Sequence, residues 1–267
     1  MGVGAFDKIE WSHSEAKIGD VVFDLASAAA GYPADTTASR PRLIKDRHIV
    51  GDYERVFAAA DISAMPRMFE LGLWDGGSAI FWSELLNPAI YIGIDRDTRG
   101  DSEVFRNYAA HKQGILTEWG VSQTDRRALC RLIGEHDAAP LDLVVDDASH
   151  QYEPTKASFE ILFPFLRPGG LYLIEDWAWA HWPGFALWAG EAAPTRLVVE
   201  LIEAAGTGRE VIRDVTVEAG LVAVTRGPAA LDQTFTLSTV TSRRHVPSVL
   251  HRVSHLGRRS ARRAVRR

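Results

Sequence analysis

What most constrains this chain is an alternation of strand-length apolar runs with longer amphipathic ones. "RMFELGL", "AIYIGID", "GILTEWG", "LDLVVDD" and "LYLIEDW" read as strands. Among and around them, "YERVFAAADISA", "SAIFWSELL", "RRALCRLIGEH", "TKASFEILFPFL" and "RLVVELIEAAG" read as helices. "RPGG" reads as a turn, and "EVIRDVTVEAGLVAVTRG" as two strands around a turn. Apolar strands that alternate with helices build βαβ units, hence a parallel sheet covered by helices on both faces. Ligands of such sheets bind at the carboxyl ends of the strands, near the point where strand order reverses.

Composition sets the frame. The 267 residues suit one large domain with appendages, and 46% hydrophobic with 24% charged residues supplies an ordinary core. No apolar run reaches the length of a membrane span. The N-terminus lacks a basic start followed by an apolar core, and Phe6 stands where a myristoylation signal needs Ser or Thr. Cys130 is the single cysteine, which excludes an intrachain disulfide and suits a cytoplasmic location. Residues 1–60 are expected to form a helical, lid-like segment, with a turn-rich loop within 21–40. Residues 61–240 form the core, and 241–267 a basic tail. That tail carries nine Arg and no acid, which leaves residues 1–240 at −14. A solvated, flexible tail is the default reading. Weak contact with an anionic membrane surface, nonspecific nucleic-acid binding and docking on a second copy are the alternatives. No specific nucleic-acid partner is expected.

The strand ends carry the chemistry. "ELGLWDGGS" supplies Glu70, Gly72, Gly76, Gly77 and Ser78, glycines that let a backbone turn tightly beside a ligand. Their spacing is not the dinucleotide G-x-G-x-x-G. The next strand ends at Asp95, where an acid accepts hydrogen bonds from ribose hydroxyls. The pair favours an adenosine-bearing ligand over a plain turn and a helix cap. "DDASH" brings Asp146, Asp147 and His150 to the end of the fourth strand, and "IEDW" brings Glu175 and Asp176 to the end of the fifth. Clustered carboxylates repel unless a positive charge lies between them, and Mg²⁺ with its oxygen ligands answers that need. A metal that holds two neighbouring hydroxyls lowers their pKa, and a histidine of pKa near ~6.5 takes the proton. The plainer reading is an acidic strand end with His150 as a helix cap.

Glu70 to Ser78 resembles the E/D-x-G-x-x-x-G-x-S motif of class I S-adenosylmethionine-dependent methyltransferases, and "FLRPGG" (165–170) the turn before their fifth strand. The resemblance implies a Rossmann-like, mostly parallel seven-stranded sheet with helices on both faces. It implies S-adenosylmethionine as donor, Gly72 and Gly76 against its methionine part, and Asp95 on its ribose. Gly120 to Gln123 stands where the family has Gly-Asp-Gln beside the adenine. Glu70, Ser78, Gln123 and Asp146 are assigned to the cofactor side.

"DDASH" with "IEDW" is similar to the metal-and-base signature of the metal-dependent sugar O-methyltransferases of actinobacterial natural-product pathways, over about residues 65–180. That likeness implies Asp147, Glu175 and Asp176 as Mg²⁺ ligands and His150 as base. The acceptor would be a small molecule or saccharide with vicinal hydroxyls, and the protein a monomer or homo-oligomer. A non-sugar diol or catechol is the alternative acceptor, and a binding protein that works through its tail the alternative class. Trp177, Trp179 and Trp182 are either sugar-stacking residues or residues of the core or of a dimer contact. His181 reads as structural, and Lys45, Arg47, His48 and Tyr53 as parts of a solvated loop rather than a lid.

Overall fold

A computed structural model describes residues 4–26, 39–60, 62, 66–98, 102–183 and 193–241. The N-terminal part differs from the expectation of a helical segment, because it adds a four-stranded sheet to a single α-helix. A single 3₁₀ turn leads into β1 (Ile9–Trp11), β2 (Glu15–Ile18) and β3 (Val21–Leu25), an antiparallel meander. Then β4 (Arg42–Leu43) pairs parallel to β3. The runs are short and alternate: Ala16, Ile18 and Phe23 point inward while Glu15 and Lys17 face outward, the period of a half-buried strand. The expected helix follows as α1 (Arg47–Ala59), capped by Asp46, whose side chain accepts from the amides of His48 and Ile49. The loop expected within 21–40 falls largely on residues outside the described ones, and so does the tail 242–267.

The main sheet follows the expected alternation. In chain order come β5 (Arg67–Leu71), α2 (Gly77–Leu86), β6 (Ile90–Asp95), α3 (Glu103–Ala109) and β7 (Ile115–Trp119). Next are α4 (Arg126–Glu135), β8 (Leu141–Asp146), α5 (Tyr152–Leu162) and β9 (Leu166–Glu175). The chain then adds α6 (Thr195–Thr207), β10 (Ile212–Val217), β11 (Leu221–Arg226) and α7 (Leu237–Thr241). The seven strands lie in the order β10-β11-β9-β8-β5-β6-β7. β5 to β9 are parallel, and β11 runs antiparallel between β9 and β10. "RPGG" is absorbed into β9 rather than forming a separate turn. The register with β8 shifts there, and Gly169 adopts φ +82°, a bulge that suits glycine.

Two apolar layers cover the sheet. On one face Phe69, Val144, Phe159, Tyr172 and Leu197 are buried together. On the other, Met68, Val145, Leu173, Phe81 and Trp82 share a core with Ile18, Phe23, Leu43 and Tyr53. The Phe23 ring meets Phe81 edge-on at 6.3 Å. The N-terminal sheet is therefore part of the core. Among the described residues no helix is long and apolar enough to cross a membrane.

This shared core makes a prediction. Phe23→Ala should cost about 3–5 kcal/mol, the usual cost of truncating a buried Phe. Urea unfolding should show one transition moved to lower denaturant. An unmoved main transition would mean that the N-terminal sheet unfolds independently.

Candidate active site

The order of strands reverses between β5 and β8, and a cavity of about 680 Å³ opens at their carboxyl ends. That volume suits a small-molecule ligand. Its walls come from Arg42–Lys45, the turn Gly72–Asp75, the loop after β6, Val121–Thr124 after β7, and Asp147–Gln151 after β8. Asp176, just beyond β9, completes the lining.

The glycine-rich turn is pinned from several sides. Gly72 has φ +91°, and a Cβ there would lie 2.1 Å from the Asp147 carbonyl oxygen. Gly76 has φ +90°, and a Cβ there would lie 2.4 Å from the Phe105 ring. Both positions need glycine, for left-handed backbone and for close approach. Asp95 holds the turn as well: Oδ2 accepts from the amides of Leu73 (2.8 Å) and Trp74 (2.9 Å), and Oδ1 from Asp97 (2.7 Å). A carboxylate has about four acceptor sites, so one remains for a ligand hydroxyl, where the sequence suggested two. From the N-terminal segment, Arg42 bonds Asp75 Oδ2 at 2.7 and 2.9 Å.

Of the residues expected at a cofactor, Gly72, Ser78, Asp95 and Gln123 line the cavity, whereas Glu70, Gly76 and Asp146 do not. Gly76 serves instead as the N-cap of α2. Glu70 is buried beneath the turn and accepts from Ser78 Oγ (3.2 Å), Trp82 Nε1 (3.1 Å) and the Tyr91 hydroxyl. Burial pushes its carboxyl up to about 7, against the pull of Lys45. Asp146 faces the opposite side of β8 from Asp147, as consecutive strand residues do. It accepts from Ser158, from Tyr172 (2.9 Å) and from Gln123 Nε2 (3.2 Å), and burial pushes it up to about 6. Gln123 also accepts from the Ser149 amide at 3.1 Å, so it braces the loop after β8.

The acidic cluster forms, with a different membership. Asp147, His150 and Asp176 each offer one ligand atom, all within 4.8 Å of one another. His150 Nε2 is 3.8 Å from Asp147 Oδ1. His150 (φ +52°) and Asp176 (φ +51°) both hold left-handed backbone, which is strained for residues with a Cβ and persists where surroundings fix it. Here Trp179 Nε1 donates to the His150 carbonyl at 2.7 Å, and the Asp176 amide donates to the Gly220 carbonyl at 2.9 Å. Glu175, expected as the third metal ligand, is instead paired with Lys45. The Lys45 ammonium lies 2.7 Å from both Glu175 oxygens and 2.9 Å from Asp147 Oδ2.

Lys45 is 4% exposed, against the expectation of a solvated loop. Burial alone would favour the neutral amine, but the charges of Asp147 and Glu175 outweigh it and raise its pKa. Tyr53 is also buried, its ring 5.8 Å from the ammonium, while Arg47 lies over Trp11 and His48 is exposed. Burial and the Asp147 charge raise Glu175, and the same two causes raise Asp176.

The tryptophans divide. Trp177 Nε1 donates to the Glu218 carbonyl at 2.9 Å and packs on the core. Trp179 supports His150, and Trp182 is 39% exposed. His181 bonds Thr195 at 2.9 Å. Sequence reasoning missed Lys45, whose partners lie 102 and 130 residues away, beyond any local pattern. It also left the Trp179 support unassigned.

Residues 69–177 match a family described as a methyltransferase domain. The sheet behind this match has the Rossmann-like class I methyltransferase fold. It is 36% identical over 126 residues to demethylmacrocin O-methyltransferase of Streptomyces fradiae, a match that covers 45% of this chain and 29% of that one. It is 35% identical over 135 residues to mycinamicin VI 2''-O-methyltransferase of Micromonospora griseorubida, over 48% of this chain and 30% of that one. A solved structure of the MycE methyltransferase of mycinamycin biosynthesis, in complex with Mg, S-adenosylhomocysteine and mycinamycin VI, aligns with a TM-score of 0.54 and 29% identity. That alignment covers 67% of this chain and 49% of MycE. The chain thus spans about a third of the length of these curated relatives and about half of the solved one.

Glu70 supplies a test of the domain's interior. Its carboxyl binds a proton more tightly folded than unfolded, so its contribution is full below about 4.5 and is lost as pH rises through about 7. Glu70→Gln removes this titration. Melting temperatures at pH 5 and pH 8 should fall less with rising pH in the variant than in wild type. Parallel curves would mean that Glu70 is charged throughout.

Proposed function

We propose that the protein is a Mg²⁺-dependent O-methyltransferase that transfers the methyl group of S-adenosylmethionine to a sugar hydroxyl of a glycosylated metabolite or saccharide. The observation that carries this reading is the convergence of Asp147, His150 and Asp176 on the cavity that Gly72, Asp95 and Gln123 also line. The methyltransferase relatives support the donor, and the MycE complex supports the metal and the glycosylated acceptor.

The residues fit a hard cation. The carboxylates of Asp147 and Asp176 offer ligand atoms beside the His150 imidazole, and a positive ion relieves the repulsion that raises Asp176. Two carboxylates supply fewer than the about six oxygen ligands that Mg²⁺ takes, which leaves room for water and substrate. When bound, the metal would hold neighbouring acceptor hydroxyls and lower their pKa. Asp147 and Asp176 bind and orient at this site. His150 Nε2 takes the proton of the attacking hydroxyl, and Trp179 keeps His150 in place through its carbonyl. The glycine-rich turn receives the sulfonium donor, with the free acceptor site of Asp95 turned to its ribose. The main contribution is placement of the hydroxyl oxygen in line with the methyl carbon and the sulfonium sulfur that leaves as the thioether, with His150 beside the hydroxyl proton. In this reading the enzyme works in the cytoplasm. The tail 241–267 is accessory, so its deletion should leave turnover intact.

The test is calorimetric titration with S-adenosylhomocysteine and then Mg²⁺. Wild type should bind both, Asp147→Ala should lose the Mg²⁺ signal, and Gly72→Ala should lose the nucleoside because its Cβ meets the Asp147 carbonyl. His150→Gln should keep cofactor binding and lower kcat on a glycoside acceptor by about a hundred- to ten-thousandfold, the usual worth of a general base. Absence of S-adenosylhomocysteine binding in wild type would overturn the reading. Turnover of catechols but of no glycoside would move the acceptor to a non-sugar diol.

A further inference from the structure

Asp176 is held from behind by a hairpin outside the cavity. Its amide donates to the Gly220 carbonyl at 2.9 Å, one residue past the pairing of Leu221 with Glu175. Gly220 lies in the short hairpin between β10 and β11, and its own amide donates to Asp52 Oδ2 at 2.8 Å. Asp52 sits within α1, 168 residues earlier in the chain. Aspartate is disfavoured in a helix interior, and a carboxylate only 4% exposed is costly unless its oxygens are bonded. Asp52 bonds the Gly220 amide and the Arg55 guanidinium one turn on. The hairpin is tied again at Glu218, where Trp177 Nε1 donates to the carbonyl at 2.9 Å and Arg55 donates to the carboxylate at 3.1 Å. A Cβ at Gly220 would lie 3.1 Å from Asp52 Oδ2 and 3.2 Å from the Ile49 side chain, so hairpin and helix touch there.

We infer that Asp52 is a positioning residue for Asp176: through Gly220 it fixes the backbone from which the Asp176 carboxylate reaches the cation. The inference rests on the metal-dependent reading above. Gly220 is the link, since its amide is bonded to one aspartate and its carbonyl to the other. Asp176 holds φ +51°, a strained conformation that persists only while its surroundings fix it. Groups that orient a metal ligand from behind are worth about ten- to a hundredfold in metal affinity. The glycine-rich turn has other supports, Asp95 on Leu73 and Trp74, and Arg42 on Asp75. Loss of Asp52 therefore acts on the cation and leaves the nucleoside site in place.

The experiment uses full-length wild type, Asp52→Ala and Asp52→Asn, cleared of metal with chelator. Each is titrated by calorimetry with Mg²⁺ alone and, separately, with S-adenosylhomocysteine alone. Asp52→Ala should bind Mg²⁺ about tenfold or more weakly, with S-adenosylhomocysteine affinity within about twofold of wild type. Asp52→Asn keeps an oxygen that accepts from the Gly220 amide, so its Mg²⁺ affinity should stay within about threefold of wild type. Unchanged Mg²⁺ binding by Asp52→Ala would overturn the inference. So would an equal loss for both ligands, which marks a general loosening of the fold. A loss in Asp52→Asn as deep as in Asp52→Ala would overturn it too, because charge and not the bond to Gly220 would then be at work. If Asp52→Ala does not fold, Asp52→Glu decides. Its carboxylate, one methylene longer, pushes Gly220 away from α1, so Mg²⁺ should bind about threefold or more weakly while S-adenosylhomocysteine binding holds. Wild-type Mg²⁺ affinity in that variant would overturn the inference. Binding of S-adenosylhomocysteine without Mg²⁺ binding in any protein, wild type included, would sink the metal-dependent reading and the inference with it. That outcome differs from Mg²⁺ binding that is indifferent to Asp52.

Discussion

The parallel pairing of β5 with β8, Met68 opposite Leu143 through Leu71 opposite Asp146, is the contact on which the site depends. Both strands end at the same level, and the chain leaves them in opposite directions across the sheet. The crevice between the departing loops is the cavity. The two ends approach so closely that residue 72 has no room for a side chain: its Cβ would fall on the Asp147 carbonyl. The Asp147 amide in turn donates to the Leu71 carbonyl at 2.9 Å. The glycine-rich turn and the acidic loop are thus two sides of one junction, and displacing either displaces the other.

Charge compensation is the second organising constraint. Glu70, Glu175 and Asp147 all act electrostatically on Lys45, which is the buried cation at their centre. Buried carboxylates without such a partner would take up protons or unfold the region. The N-terminal segment is what brings this lysine. Its sheet shares the core through Phe23, Ile18 and Leu43, and its α1 sets Tyr53 beside the ammonium. Packing far from the cavity therefore decides which carboxylates face it.

Adjacent residues separate by strand geometry. Asp146 and Asp147 look equivalent in the sequence, yet one is bonded to Ser158, Tyr172 and Gln123 on the α5 side while the other lines the cavity. Glu175 and Asp176 separate in the same way, the first turned to Lys45 and the second to the cavity. The strained backbone at His150 and Asp176 turns both side chains towards the same space.

The sequence by itself determined the sheet, because the period of its apolar residues is a local property that each strand and helix carries alone. It also determined the turn at Gly72–Ser78 and the acidic strand ends, since glycine tolerance and strand termination are equally local. Only the tertiary structure decided the rest. The N-terminal segment holds a sheet ahead of its helix because its short alternating runs found Phe81 and Trp82 to cover them. Glu70 and Asp146 became internal anchors because their strand faces point to core partners rather than to the cavity. Glu175 left the set of cavity carboxylates because Lys45, 130 residues earlier, arrives at hydrogen-bond distance. Pairings over such separations depend on where whole layers pack, and no spacing within a strand or loop encodes that.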